Sequence, residues 1–241
     1  MRYAGRTHTG LVREINQDSF LVLDLPEQNA LAVVLADGMG GHNAGELASS
    51  LAVEYAAEQA KEKDFTGKNC ASQITRIMDE ANKLVYSKSL QDIAHVGMGT
   101  TMIMAVVTDS EINIGHVGDS RVYILRKGEL ERITTDHSLV EELLQSGAIT
   151  TEEAENHPSK NVITKALGCE PKINIDNYKR KIENGDKMLL CSDGLTNMVK
   201  EQEIRTVLTG TKDPEEAVDK LIEKANNYGG EDNVTAVAVY F

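Results

Sequence analysis

The chain reads as an α+β protein whose sheets are covered on the outside by helices. Three observations point there: short Val-, Leu- and Ile-rich runs of strand length recur along it, they arrive in groups separated by helical stretches rather than alternating one for one with helices, and no composition shift marks a domain boundary. Strict alternation would have signalled a doubly wound sheet. With 241 residues, 41% of them hydrophobic, the chain can bury a sizeable core, and it is read as one domain over residues 1–241.

Taken in order, DSFLVLDL (18–25) and ALAVVLAD (30–37), joined by the turn-forming PEQN, predict a β-hairpin. Asn43 and Glu46 form an Asn-x-x-Glu capping box, and Leu47, Leu51, Tyr55 with Ala48, Ala52, Ala56 continue along one helix face. A second helix is predicted over about 69–88, carrying Ile74, Ile77, Ala81, Leu84 and Val85, followed by a connecting loop, SLQDIAHVGMG. Three strands come next, TMIMAVVT, EINIGHVG and RVYILRKG, then ELERIT, with turns at residues 108–110 and 126–128. Ser138 with Glu141 caps a helix that Gly147 stops. Residues 148–168 are polar and contain Pro158, which predicts a partly helical surface excursion and the most mobile part of the chain. KMLLCSDG (187–194) is a strand, a helix lies near 201–208, and a last helix starts with Asp213 as cap and Pro214 at its first position. NVTAVAVYF (233–241) closes as a strand.

Composition removes several function classes. No apolar stretch is long enough to span a bilayer and the N-terminal MRYAGRTHTG has no apolar targeting region, so a cytoplasmic protein without membrane insertion is expected. The three cysteines, Cys70, Cys169 and Cys191, have no ligand-like spacing and are expected to be reduced. A net charge of −13 argues against non-specific nucleic-acid binding, and no tryptophan and few aromatics argue against base stacking. No Gly-x-x-x-x-Gly-Lys-Ser/Thr loop, Gly-x-Ser-x-Gly elbow, EF-hand loop or His-x-x-x-His spacing occurs, which leaves metal-activated water as the available nucleophile.

Four aspartates sit beside Gly or Asn at the edge of an apolar run: Asp37 in LAVVLADGMGG, Asp119 in INIGHVGDSR, Asp193 in KMLLCSDGL and Asp232 in GGEDNVTAVAVYF. One such junction is a turn. Four of them suggest carboxylates gathered at one end of a sheet, where mutual repulsion and desolvation call for cations between them. Carboxylates with a nearby backbone carbonyl, such as the loop of Gly38, Gly40 and Gly41 after Asp37 exposes, suit hard ions such as Mn²⁺ or Mg²⁺. Asp18 is a candidate for holding metal-bound water. Arg13 is a candidate for a substrate phosphate because its planar fork matches phosphoryl oxygens. His42 either protonates a leaving group or only hydrogen-bonds Asp18 or a water.

Eight segments in order, REINQD (13–18), DGMGGH (37–42), GTT (99–101), GDSR (118–121), DHS (136–138), ALG (166–168), SDG (192–194) and GEDNVT (230–235), resemble the metal-dependent protein serine/threonine phosphatases of the PP2C (PPM) family, in its stand-alone bacterial form. The resemblance implies a four-layer α-β-β-α sandwich, with two central antiparallel sheets flanked by helix pairs, and a flap at about 146–165. It implies hydrolysis of phosphoserine and phosphothreonine by a hydroxide bridging two metals. Asp37 would bridge both ions, with the Gly38 carbonyl on the first and Asp193 and Asp232 on the second. Asp119 and Asp193 would hold a third, weaker ion, Arg13 would bind phosphate, and Asp18 would hold metal-bound water. Implied partners are phosphoproteins and a cognate Ser/Thr kinase with its substrates, met by a monomer. Two alternative readings are a phosphatase of one anti-sigma-antagonist-like protein and a non-catalytic phosphoprotein-binding module, which the full set of carboxylates disfavours. Relatives with Asp-Gly-His carry a proposed general acid where this chain has Met39, which cannot donate a proton, and some carry Glu where this chain has Gln17. His42, a metal-bound water or no side-chain acid at all remain as the ways to handle the leaving group.

Overall fold

The computed structural model describes residues 1–40, 44–65, 69–155 and 157–241. Strands β1 (Arg2–His8), β2 (Asp18–Leu25) and β3 (Ala30–Met39) precede helices α1 (Ala44–Glu62) and α2 (Cys70–Ser89). Strands β4 (Gly99–Thr100), β5 (Met102–Val107), β6 (Glu111–Val117), β7 (Arg121–Arg126) and β8 (Glu129–Arg132) lead to short helices α3 (Leu139–Gln145) and α4 (Thr151–Glu155). Strands β9 (Asp176–Lys181) and β10 (Lys187–Cys191), helices α5 (Asp193–Thr196), α6 (Glu201–Gly210) and α7 (Pro214–Asn227), and strand β11 (Val234–Tyr240) complete the fold.

Two antiparallel sheets form, one ordered β1-β11-β10-β7-β8 and the other β2-β3-β5-β6-β9 with β4 added beside β3. The period-2 alternation of strands sorts their residues into layers. Along β3, Ala32, Val34 and Ala36 face α1 and α2, while Leu31, Val33 and Leu35 face the other sheet. Along β11, Ala236 and Ala238 face α6 and α7, while Val237 and Val239 point inward. The inter-sheet layer is thus built from Ile, Val, Leu and Met of both sheets, and the α-β-β-α sandwich expected from the sequence is present. On α1 the buried face is Ala44, Ala48, Ala52, Ala56 and Ala60 at a spacing of four, so the helix axis approaches β3 closely.

Strands β1, β4 and β9 had no counterpart in the sequence reading. β1 is RYAGRTH, mostly exposed, and its edge pairing with β11 supplies what periodicity does not. β9 is DNYKRK, an alternating charged edge strand on β6, a composition that guards sheet edges. Leu84, one of the apolar residues named for that helix, is 37% exposed; Met78 fills the α2 core face beside Ile74 and Ile77. Asn43, the predicted cap of α1, lies outside the described residues. The other caps form: Ser138 accepts from the Glu141 amide, and Asp213 from the Glu215 amide. Gly147, at φ +74°, donates to the Leu144 carbonyl while Ala148 donates to that of Leu143, the paired bonds of a Schellman stop. The excursion after it holds α4 and returns through the Leu139-to-Val162 and Thr164-to-His137 backbone bonds.

Candidate active site

The sandwich brings the Asp-bearing junctions to one end of the inter-sheet layer. Asp18 stands directly opposite Asp37 in the β2–β3 register, so both carboxylates leave the same face of that sheet. Asp193 opens α5 after β10, and Asp232 lies just before β11, the strand paired to β10. Asp119 follows β6 in the turn to β7.

Glycines set the spacing. A Cβ on Gly194 would lie 1.9 Å from the Asn233 carbonyl oxygen, so only glycine lets the first turn of α5 sit on the 232–233 backbone and bring Asp193 to Asp232. A Cβ on Gly38 would lie 2.0 Å from the Gly45 carbonyl oxygen, which is how the end of β3 and the start of α1 come together. Beside them, the Asp37 amide donates to Thr101 Oγ1 (2.9 Å) and the Thr101 amide to the Asp37 carbonyl (2.8 Å). Thr101 Oγ1 also meets Ser120 Oγ at 2.9 Å, which ties the Asp119 turn to Asp37.

Asp18 is buried and held by hydroxyls from the opposite sheet. Its Oδ2 accepts from Ser192 Oγ (2.7 Å) and Thr235 Oγ1 (2.7 Å). Ser192 Oγ in turn accepts from the Thr235 amide, and Thr235 Oγ1 lies 2.7 Å from Thr7 Oγ1, which accepts from Asn16 Nδ2. The other Asp18 oxygen, Oδ1, is buried without a hydrogen-bond partner, as is Asp119 Oδ1. Buried carboxylate oxygens are costly to leave unpaired, so these two mark where a ligand is wanted. Ser192 is therefore a support for Asp18 and not a nucleophile.

Burial pushes Asp18 up to about 7, against the pull of its two hydroxyl donors, with the Asp193 and Asp232 charges adding to the rise. Burial also raises Asp37, Asp119 and Asp193; the charges of Asp18, Asp193, Asp119 and Asp232 add to the rise at Asp37. The carboxylates thus feel one another across the sheets. Among the described residues, however, no three His, Cys, Asp or Glu side chains stand as a ready-made ligand set. Two of the carboxylates take donors: Asp193 accepts from Asn197 Nδ2 (2.9 Å), Asp232 from its own neighbour's amide at Asn233 (2.8 Å) and from Arg13 Nη2 (2.8 Å). The donor set is all oxygen, it is negative, and two of its oxygens are buried and unpaired, which fits hard divalent cations.

Of the residues named from the sequence, Asp18, Asp37, Gly38, Asp119, Asp193 and Asp232 meet at this end of the sandwich, and Arg13 reaches it through Asp232. His42 lies outside the described residues. Met39 ends β3 paired with Gly99. The residues that support the carboxylates, Thr235, Asn197 and Asn233, were not singled out by the sequence reading, nor was Ser192 as a support for Asp18. Thr235 and Asn233 belong to the NVT run after Asp232, and Ser192 precedes Asp193, so adjacency to the acidic positions was the signal available.

A family model for protein phosphatase 2C matches residues 4–232. The chain is 42% identical over 238 residues to the serine/threonine phosphatase stp of Listeria monocytogenes serotype 4b, covering 97% of this chain and 93% of that one. Its fold superposes with a TM-score of 0.94 on the serine/threonine phosphatase Stp1 from Staphylococcus aureus, at 33% identity, covering 99% and 94% of the two chains. It superposes with a TM-score of 0.87 on the catalytic domain of the serine threonine protein phosphatase PstP solved in complex with two manganese ions, at 35% identity, covering 99% and 97%. The chain belongs to the protein phosphatase 2C family. It is an enzyme, a bacterial-type metal-dependent protein serine/threonine phosphatase.

Proposed function

We propose that Asp37, the Gly38 carbonyl, Asp193 and Asp232 hold a pair of divalent ions, Mn²⁺ or Mg²⁺, and that Asp119 with Asp193 holds a third, weaker one. The observation that carries this is the meeting of five aspartates from both sheets, with buried, unpartnered oxygens on Asp18 and Asp119. The relative solved with two manganese ions supports the count. Ions held there supply Lewis acidity toward phosphoryl oxygens and lower the pKa of water to near neutrality.

The chain's own residues have separate tasks. Asp18 orients water through Oδ1 while the Ser192 and Thr235 hydroxyls hold its Oδ2. Arg13, half exposed and paired with Asp232 at 2.8 Å, turns its remaining N–H groups to the substrate phosphate. Met39 supplies no proton, so leaving-group protonation falls to His42 or to solvent. Substrates are phosphoserine- and phosphothreonine-bearing proteins, and the partner class is a Ser/Thr kinase and its targets. Among the described residues no helix is long and apolar enough to cross a membrane.

The test is turnover of a phosphothreonine peptide with Mn²⁺. EDTA abolishes it, and Asp193→Ala folds with the wild-type circular dichroism but loses at least 100-fold in kcat, on the order of what a catalytic electrostatic group supplies. Full turnover in EDTA, or an unimpaired Asp193→Ala enzyme, overturns the assignment. His42→Ala slows poor leaving groups more than p-nitrophenyl phosphate if His42 is the acid, and slows both equally if it is structural.

A further inference from the structure

We propose that the loop over residues 9–15 is a docking rim for the polypeptide around the phosphorylated residue, favouring substrates with an apolar side chain within two positions of the phosphoserine or phosphothreonine. The inference rests on Arg13 being the phosphate ligand.

The loop is a fixed arch. Asn233 Nδ2 donates to the Thr9 carbonyl (2.8 Å) and to the Ile15 carbonyl (2.9 Å), so one buried side chain clamps both feet. The Leu11 amide donates to the Gly230 carbonyl at 2.7 Å. Gly10, at φ +84°, leaves no room for a Cβ, which would lie 2.3 Å from the Asp232 carbonyl oxygen, so the arch rests on the backbone of a proposed metal ligand. Between the feet the side chains turn outward. Leu11 and Val12 are each 66% exposed, Ile15 is 37% exposed, and Tyr228 is 51% exposed beside Gly229 and Gly230.

Single exposed apolar residues are ordinary, but these flank the arginine itself. An extended residue advances about 3.3 Å, so a polypeptide with its phosphate on Arg13 has its next two residues within about 7 Å, the reach of Val12 and Leu11 along the arch. Electrostatics narrow the choice further. The chain carries −13, the site is carboxylate-rich and Glu14 sits on the same loop, so acidic flanking residues are repelled and apolar contact is what the rim offers. A rim clamped in place loses little conformational entropy on binding.

The test uses the whole enzyme with Mn²⁺ and three phosphothreonine peptides, flanked on both sides by Leu, Gly or Glu. The Leu peptide is expected to show about tenfold higher kcat/KM than the Gly peptide, the factor for burying roughly half a leucine side chain, with the Glu peptide lowest. Val12→Ser is expected to bring the Leu peptide close to the Gly peptide, with Leu11→Ser as the second variant. Equal wild-type rates on the Leu and Gly peptides overturn the inference and leave the phosphatase assignment standing; no turnover of any peptide overturns that assignment instead. If both variants slow all peptides in equal proportion, the side chains only support the loop and the inference falls. A concentration-dependent dimer in sedimentation that Val12→Ser abolishes, with no peptide preference, assigns the rim to a second copy and also overturns it.

Discussion

At the residue scale, Asp18 shows how a single carboxylate is shaped by its donors. Two hydroxyls hold one oxygen and leave the other bare, so removing one hydroxyl releases the side chain rather than deleting its charge. Thr235→Val is expected to destabilise the fold by about 2 kcal/mol, the worth of a hydrogen bond to an ionised group, and to weaken Mn²⁺ binding measured by calorimetry about tenfold, with Thr235→Ser restoring both. The raised Asp18 pKa also has a sign that can be checked. A carboxyl whose folded value stands near 7, above its ordinary 3.8, contributes stability below about pH 4 and loses it as pH climbs through 7. In EDTA, Asp18→Asn is therefore expected to melt close to wild type at pH 4 and several °C above it at pH 8, from a difference of roughly 4 kcal/mol at most. Equal melting gaps at the two pH values would show that Asp18 does not titrate in this window. The sequence displayed the acidic residues because strand-edge Asp-Gly and Asp-Asn pairs stand out against apolar runs. It did not display Ser192 and Thr235 as supports, because a hydroxyl's role depends on which strand faces it, 174 and 217 positions from Asp18 along the chain.

At the element scale, the glycine contacts decide whether the carboxylates meet. Gly194→Ala drives a methyl into the Asn233 carbonyl, and since both atoms are held by backbone structure, a loss of more than about 3 kcal/mol in urea unfolding is expected. Gly185→Ala has nothing within 4 Å of its Cβ but sits at φ +89°, so about 1 kcal/mol is expected there. Comparing the two separates steric contact from backbone strain. The pattern of short apolar runs revealed β2, β3, β5, β6, β7, β10 and β11 because their apolar residues are buried or half-buried. It missed β1 and β9 because edge strands get their order from a neighbour's backbone, and their side chains are written for solvent. The short α5 escaped for a related reason: four residues offer no helical period, and Asp193 read as a strand edge. In the structure it is the first residue of a helix.

At the scale of the whole molecule, the two sheets share one apolar layer, with Leu31, Val33 and Leu35 from one meeting Met188, Leu190 and Val237 from the other. Neither sheet can shed that layer and keep its own inner face dry, so we infer a single unfolding unit over residues 1–241. Circular dichroism and tyrosine fluorescence should give coincident urea transitions, and two separated transitions would contradict this.

The hydroxyl clasp on Asp18 carries a mechanical consequence. Asp18 belongs to one sheet, whereas Thr235 lies in β11 of the other and Ser192 directly follows that sheet's β10, so the clasp works as a latch across the sandwich. Sliding one sheet past the other by a single residue, about 3.3 Å, would unfasten both bonds at once. The catalytic end therefore acts as a gauge of sheet alignment: it is whole only when the two halves sit in register.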